Sequence, residues 1–316
     1  MTAYIVRRLG LILLTVLVAS MVIFIATQLL PGDVAHVILG QFATPAAIEN
    51  LREELGLNRP AVVQYADWLA RFVTGDWGKS MVSGYAVRPL VLARLRNSLM
   101  LAVVAFSLYV PLGITLGVVA AVNADRPLDR ALSALTMTFV GLPEFVSGLI
   151  LIGTLALSWD LLPANSSISP DSGFIEAFPY LVLPAIAISL TCLGYVARMT
   201  RASTIDALRS DYAMAADLKG LPRIQVLLRH VLRNSLLPTV TVVAVSIGWL
   251  FGGLIVVESV FGYPGLGRLL VYGIQHRDLT LIQACSMVVV TIFGFANLLA
   301  DVLYGVLNPR IRFSQR

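Results

Sequence analysis

Lysine is almost missing from this sequence: Lys79 and Lys219 are the only two among 316 residues. A phosphate-binding loop needs Gly-Lys-Ser/Thr with a further glycine five residues before the second, so that backbone amides can wrap the phosphates. The Gly-Lys-Ser in "VTGDWGKS" has Val73 where that glycine belongs, so no nucleotide-binding loop of this kind is present. Cysteine and histidine are equally scarce. Cys192 and Cys285 fall in separate apolar runs, and His36, His230 and His276 are far apart, which excludes a disulfide framework and any recognised metal spacing. HExxH and GxSxG are absent too, so hydrolytic chemistry has no machinery to run on. Charged residues make up 13% of the chain against 58% hydrophobic, a balance that excludes an ordinary soluble domain. No catalytic residue, cofactor or metal is expected.

What the sequence has instead is long uncharged runs and a mean hydropathy of +0.84. Runs of about 18 or more apolar residues read as membrane spans. Six occur, at roughly Leu9 to Leu30, Leu99 to Val122, Leu132 to Trp159, Phe178 to Ala197, Leu236 to Val257 and Leu281 to Ala300. No β-barrel alternation competes with them. The expected fold is an all-α integral membrane protein of six transmembrane helices, with a structured extracytoplasmic segment after the first. That first run follows Arg7 and Arg8 but is too long for a signal peptide, and no small-residue cleavage site follows it, so it is expected to stay as a span. The chain divides into residues 1–30, the N-terminus and first span; 31–98, the extracytoplasmic segment; and 99–316, a five-helix core that includes a cytoplasmic loop at 201–238.

Lys and Arg in short loops set orientation. With the N-terminus inside, the internal segments hold Arg7 and Arg8, then Arg126 and Arg130, then seven basic residues from Arg198 to Arg233, then Arg310, Arg312 and Arg316. The short external loops hold only Arg268 and Arg277. Both termini are therefore expected in the cytoplasm, and the net charge of +5 is absorbed by topology without a nucleic-acid partner.

Within 31–98, "TPAAIENLREELGL" offers Thr44 as N-cap, Pro45 at the first helical position and Gly56 as C-cap. "AVVQYADWLARFVTG" places Val62, Tyr65, Leu69 and Phe72 at helical spacing beside Trp68. This amphipathic helix either lies on the outer membrane surface or packs on the spans. In the fifth span Gly248 and Gly252 have the small-xxx-small spacing that lets membrane helices approach closely. Glu144 interrupts the third span in "FVGLPEFVSG". An acid there costs roughly 2.5 to 3.5 kcal/mol on insertion scales, so it should face protein or a water-filled path. Either a hydrogen bond to a neighbouring helix satisfies it, or it lines a solute path.

The most unusual stretch is "DYAMAADLKGLPRIQVLLRHVLRNSLLP", residues 211–238. Ser210 and Asp211 specify a helix start, Gly220 a left-handed stop and Pro222 the start of a second helix. The first helix is built from small residues, Ala213, Ala215 and Ala216, with Tyr212 as one aromatic anchor. The second carries Arg223, Arg229, His230 and Arg233, suited to lipid phosphates or an acidic partner. Geometry alone leaves a surface-lying helix pair and a docking element equally open.

This stretch resembles the EAA loop of binding-protein-dependent ABC importer permeases, in particular the B-type permease subunit of dipeptide and oligopeptide importers. "QLLPGD", "LREELGLNRPAVVQYADWL", "GDWGKS", "VVESVFGYPGLGRLL" and "NPRIR" are similar to that subfamily in the same order, over nearly the whole chain. The resemblance implies a type I ABC importer permease fold in the bacterial inner membrane. It implies a second, C-type permease subunit, two separate ATPase subunits, an extracytoplasmic substrate-binding protein and a peptide substrate, with nickel complexes, glutathione or another small solute as alternatives. It makes Tyr212, Ala213, Ala215, Ala216, Gly220 and Pro222 the coupling helix and turn, seated in an ATPase groove. Met214 and Asp217 stand where relatives often have Arg, and Glu144 receives no role from the resemblance. An ion-driven secondary transporter is the alternative of another class. Such proteins show ionisable pairs or broken helices in corresponding halves of the chain, and no repeat of the halves is visible here.

Overall fold

The computed structural model describes residues 2–29, 44–54, 58–168 and 173–307. Gly56, His36, most of "QLLPGD", all of "NPRIR" and Arg316 lie outside the described residues. Among the described residues the fold is all-helical, with only an isolated bridge between Lys79 and Ala86. Five helices are long and apolar enough to cross a membrane: Val6–Leu29, Val87–Val122, Phe174–Leu208, Arg223–Val260 and Leu279–Val302. The third expected span differs. Instead of one helix from Leu132 to Trp159 there are two, Pro127–Gly141 and Glu144–Ser158, bent by 109°. Pro143 has no N–H to donate to Phe139, which disfavours a continuous helix there. Counting the bent pair as one span restores six.

The chain forms two compact units. The first comprises Met1–Ser98 and Pro264–Phe295, so part of the stretch that the sequence groups with the core clusters instead with the N-terminal segments. Its helices are α1 (Thr2–Leu29), α2 (Pro45–Glu54), α3 (Ala61–Thr74), the start of α4 (Val87–Val122), α11 (Leu266–Gln275) and the greater part of α12 (Leu279–Leu307). Most described side chains of α1 are exposed, as a lipid-facing helix requires, while Ser20, Phe24 and Thr27 form a buried stripe. The α3 helix packs on that stripe: Tyr65 and Ser20 share a hydrogen bond of 2.7 Å, and Phe24 meets Tyr65 edge-on at 5.5 Å. The amphipathic helix therefore turns its aromatic face to a span, and Val62 and Val73 point away.

"GDWGKS" has a structural role in this unit. Gly75 and Gly78 adopt left-handed φ of +89° and +72°, conformations that cost glycine little. They deliver Ser80, which is buried and donates a hydrogen bond to the carboxylate of Asp278. Asp278 in turn accepts the Leu281 amide at 3.1 Å and so caps α12. The Gly-Lys-Ser that mimics a phosphate loop thus ties the outer segment to the start of the last long helix.

The second unit comprises Leu99–Tyr263 and Ala296–Arg316. Besides the rest of α4 it holds α5 (Pro127–Gly141), α6 (Glu144–Leu151, continuing as a π-helical turn over Ile152–Ser158), α7 (Phe174–Leu208), α8 (Asp211–Leu218), α9 (Arg223–Gln225, continuing as a π-helical turn) and α10 (Leu232–Val260). The α7 helix is the centre, packed chiefly on α10 and then on α5 and α6. Small residues set its distances. A Cβ on Gly117 of α4 would sit 2.5 Å from the Ala197 carbonyl, and one on Gly194 of α7 would sit 2.6 Å from the Thr136 carbonyl. Gly113 and Gly117 therefore realise the small-xxx-small approach, through which backbones gain van der Waals contact that lipid cannot supply. Hydroxyls add cross-links where water is absent: Tyr109 to Ser246 at 2.9 Å, Ser189 to the Ala105 carbonyl at 3.1 Å and Thr200 to Thr239 at 3.1 Å. Beyond α10 the turn at Phe261–Tyr263 is buried, and burial, then the charge of Glu258, pushes the Tyr263 phenol above its ordinary range, so it stays neutral at physiological pH.

Candidate functional site: a capped loop helix and a broken span

The helix expected at 211–219 is α8, Asp211–Leu218. Ser210 occupies its N-cap position, but its hydroxyl donates to the Ala207 carbonyl at 2.6 Å instead of capping the helix. The C-terminus is a full Schellman motif: the Gly220 amide donates to Asp217 at 2.9 Å and the Leu221 amide to Ala216 at 3.4 Å. Gly220 takes the left-handed φ of +75° that this closure demands, in open space. Pro222 is the N-cap of the next helix, which starts at Arg223 instead of at Pro222 itself.

The alanines divide into two sets. Ala213 and Ala216 are buried, in a cluster with Ala207, Val226 and Val231 of the same chain. Their small size lets α8 lie against its own neighbours. The outward face is Tyr212, Met214, Ala215 and Leu218, with Leu218 84% exposed. This eight-residue helix thus hides its small residues and presents three large apolar ones.

One side-chain pair behind this helix is not singled out by the sequence reading. Arg201, two turns before the end of α7, grips Asp129 at the start of α5 in a bidentate pair, Nε to Oδ1 at 2.5 Å and Nη2 to Oδ2 at 2.7 Å. Asp129 also accepts the Asp125 amide at 2.9 Å and the Ser133 hydroxyl at 3.3 Å, and its side chain is 3% exposed. The pair joins α5 to the helix that leads directly into α8. Asp129 and Arg201 are 72 positions apart, and only the pairing of α5 with α7 brings them together.

At the other end of α5, Glu144 opens α6 just after the bend and is half-buried. Its carboxylate lies over α10, where a Cβ on Gly253 would be 3.6 Å from Glu144 Oε1. Nothing crowds Gly252, which is exposed, while Gly248 is buried within the unit. The spacing the sequence singles out in the fifth span thus does not bring another helix of this chain onto Gly252. No group of His, Cys, Asp and Glu that could hold a metal occurs among the described residues.

The fold is that of a multi-span helical membrane protein with an exposed loop helix, and comparison with known proteins gives its family. Residues 113–313 match the family described as "Binding-protein-dependent transport system inner membrane component", and residues 1–90 match the N-terminal region of such components. The chain belongs to this family. It is 36% identical over 313 residues to a probable peptide ABC transporter permease of Sinorhizobium fredii, covering 99% of this chain and all of that one. It is 34% identical over 336 residues to the dipeptide transport system permease DppB of Escherichia coli, with 99% of each covered. It is 36% identical over 313 residues to the glutathione transport system permease GsiC of Escherichia coli, covering 99% of this chain and all of that one. Among solved structures, an amino acid ABC transporter with histidines shares the fold at a TM-score of 0.51 and 18% identity, over 70% of this chain and 94% of that one. The chain is a multi-pass inner-membrane permease subunit of an ABC importer. It performs no catalysis itself, ATP hydrolysis residing in separate ATPase subunits, and its family works with a substrate-binding component and a second permease.

Proposed function

We propose that this chain is half of the translocation path of an ATP-driven importer of di- or oligopeptides. It pairs with one C-type permease subunit, two ATPase subunits and an extracytoplasmic binding protein. The observation that carries the reading is the outward face of α8, three large apolar side chains on a Schellman-capped helix that follows the central helix of the core after two residues. ATPase closure pushes on that face, and α7 with α5 carries the movement into the spans. The relatives named for peptides supply the substrate class, with glutathione, itself a small peptide, as the second reading. The extracytoplasmic segment, residues 31–98, receives the binding protein, and Arg223, Arg229, His230 and Arg233 meet lipid phosphates or an acidic partner.

Reconstituted with its ATPases and binding protein in liposomes, the chain is expected to support uptake of labelled Ala-Ala that needs both ATP and the binding protein. Uptake that persists without ATP while a proton gradient is held would overturn the importer reading in favour of an ion-driven carrier. Orientation has its own test. A cysteine at exposed Ser167 is expected to react with an impermeant thiol reagent from outside intact cells, and one at exposed Lys219 only after lysis. The native Cys192 and Cys285 are buried and give little background. Reversed labelling would place the termini and α8 outside.

A further inference from the structure

The unused feature of the core is the Glu144 carboxylate. No hydrogen bond or ion pair reaches it among the described residues, although it sits in a membrane-spanning stretch, half-buried, where an unmatched acid is costly. An acid kept under those conditions faces a water-filled route or a ligand more readily than lipid.

Its surroundings narrow the ligand. The carboxylate lies over Gly253 of α10, on the side where Ile188 of α7 also packs. Trp249 lies one helical turn from Gly253 on the same side of α10, and the ring it meets on α7 is that of Tyr195. Their rings are in contact, with centroids 4.9 Å apart and planes at 58°. Each ring keeps an open side: Tyr195 is 36% exposed and Trp249 49%. The register is consistent along the helix pair, because Ile188 meets Gly253 while Thr200 meets Thr239 farther toward the loop. Gly252 beside them leaves open space on α10.

An acid one helical turn along α10 from a pair of touching aromatic rings attracts one kind of group. The carboxylate supplies a full negative charge and the rings a negative quadrupole, and both favour an organic cation. An anion is repelled by all three, and a neutral apolar group leaves the carboxylate unmatched. We propose that Glu144, Tyr195 and Trp249 form a cation-recognition site in the translocation path that takes the ammonium or guanidinium of a basic substrate side chain. The proposal rests on the importer reading for its place in the path, and on the side-chain geometry alone for its chemistry.

Two measurements separate those foundations. In the purified complex in nanodiscs, n-butylammonium, which stands in for a lysine side chain, is expected to change tryptophan emission saturably, whereas n-butanol does not. Trp249→Phe removes the signal, and Glu144→Gln weakens binding by about tenfold, the scale of one charged hydrogen bond. No saturable change, or the same affinity in Glu144→Gln, overturns the site whatever the complex transports. In liposomes, Glu144→Gln is expected to lower uptake of Lys-Lys relative to Ala-Ala by about tenfold, Trp249→Leu by about threefold, and Trp249→Phe little, because the aromatic face is retained. Equal losses for both dipeptides overturn the role in selectivity. Should the wild-type complex import neither dipeptide, the peptide reading falls and the n-butylammonium titration decides the site alone.

Discussion

Leu218→Asp is expected to abolish co-purification of the ATPase subunits while the membrane fold stays intact. Leu218 is 84% exposed at the tip of α8 and belongs to no buried cluster of its own chain, so the substitution removes nothing that holds the permease together. On the proposed coupling role the same position is covered in the assembled importer, and a carboxylate in an apolar contact loses its hydration without a matching partner, a penalty of several kcal/mol. Gly220→Val approaches the same interface from the backbone. No side chain would be crowded there, so the cost is conformational: a β-branched residue at φ +75° is disfavoured by roughly 1 to 2 kcal/mol, and the Schellman closure that aims Leu218 loosens. Gly220→Asn, which tolerates the left-handed region, is expected to keep substrate-driven ATP hydrolysis where Gly220→Val loses it. Full ATPase association in Leu218→Asp, with normal uptake, would reduce α8 to a spacer.

Asp129→Ala is expected to destabilise the permease by roughly 3 kcal/mol, the lower end for breaking a buried ion pair, because it strands Arg201 beside apolar helices. The lower end applies because Arg201 keeps 32% of its side chain exposed while Asp129 keeps 3%. The loss should appear as a lower thermal midpoint of the purified subunit and as ATP hydrolysis no longer matched to uptake, since α5 is released from the helix that leads into α8. Asp129→Ala combined with Arg201→Ala is expected to recover part of the stability, as the stranded charge is gone, without recovering the coupling. Two single variants that melt with the wild type would show that the pair carries no weight.

The alanines show where reading the sequence reaches its limit. Small residues in a short polar-flanked helix signal close packing, and close packing is what Ala213 and Ala216 do, but against Val226 and Val231 of their own chain. Composition reports that something approaches and does not say what. Ala216→Trp would therefore damage intrachain packing first, which makes exposed Leu218 the cleaner probe of the proposed ATPase contact. Glycine spacing behaves alike. Gly248 and Gly252 satisfy the small-xxx-small pattern, yet Gly252 stands in open space, while "GITLG" at 113–117 holds the spacing that presses α4 onto α7. The same four-residue interval occurs in both spans, and only the neighbouring backbone distinguishes them.

The sequence by itself determined the membrane environment, the places of the five long apolar helices, the loop helix with its glycine stop and the failure of Gly-Lys-Ser as a phosphate loop. These are local properties. Apolar run length, helix caps and left-handed turns are governed by interactions within a few residues, and those are written consecutively along the chain. The tertiary structure alone decided the grip of Arg201 on Asp129, the tie from Ser80 to Asp278 and the meeting of Tyr195 with Trp249. All of these join residues tens to hundreds of positions apart. In lipid every side of a helix can be apolar at little cost, so hydrophobic pattern does not say which face meets another helix. Packing contacts and buried polar pairs make that choice, and they exist only once the helices are side by side.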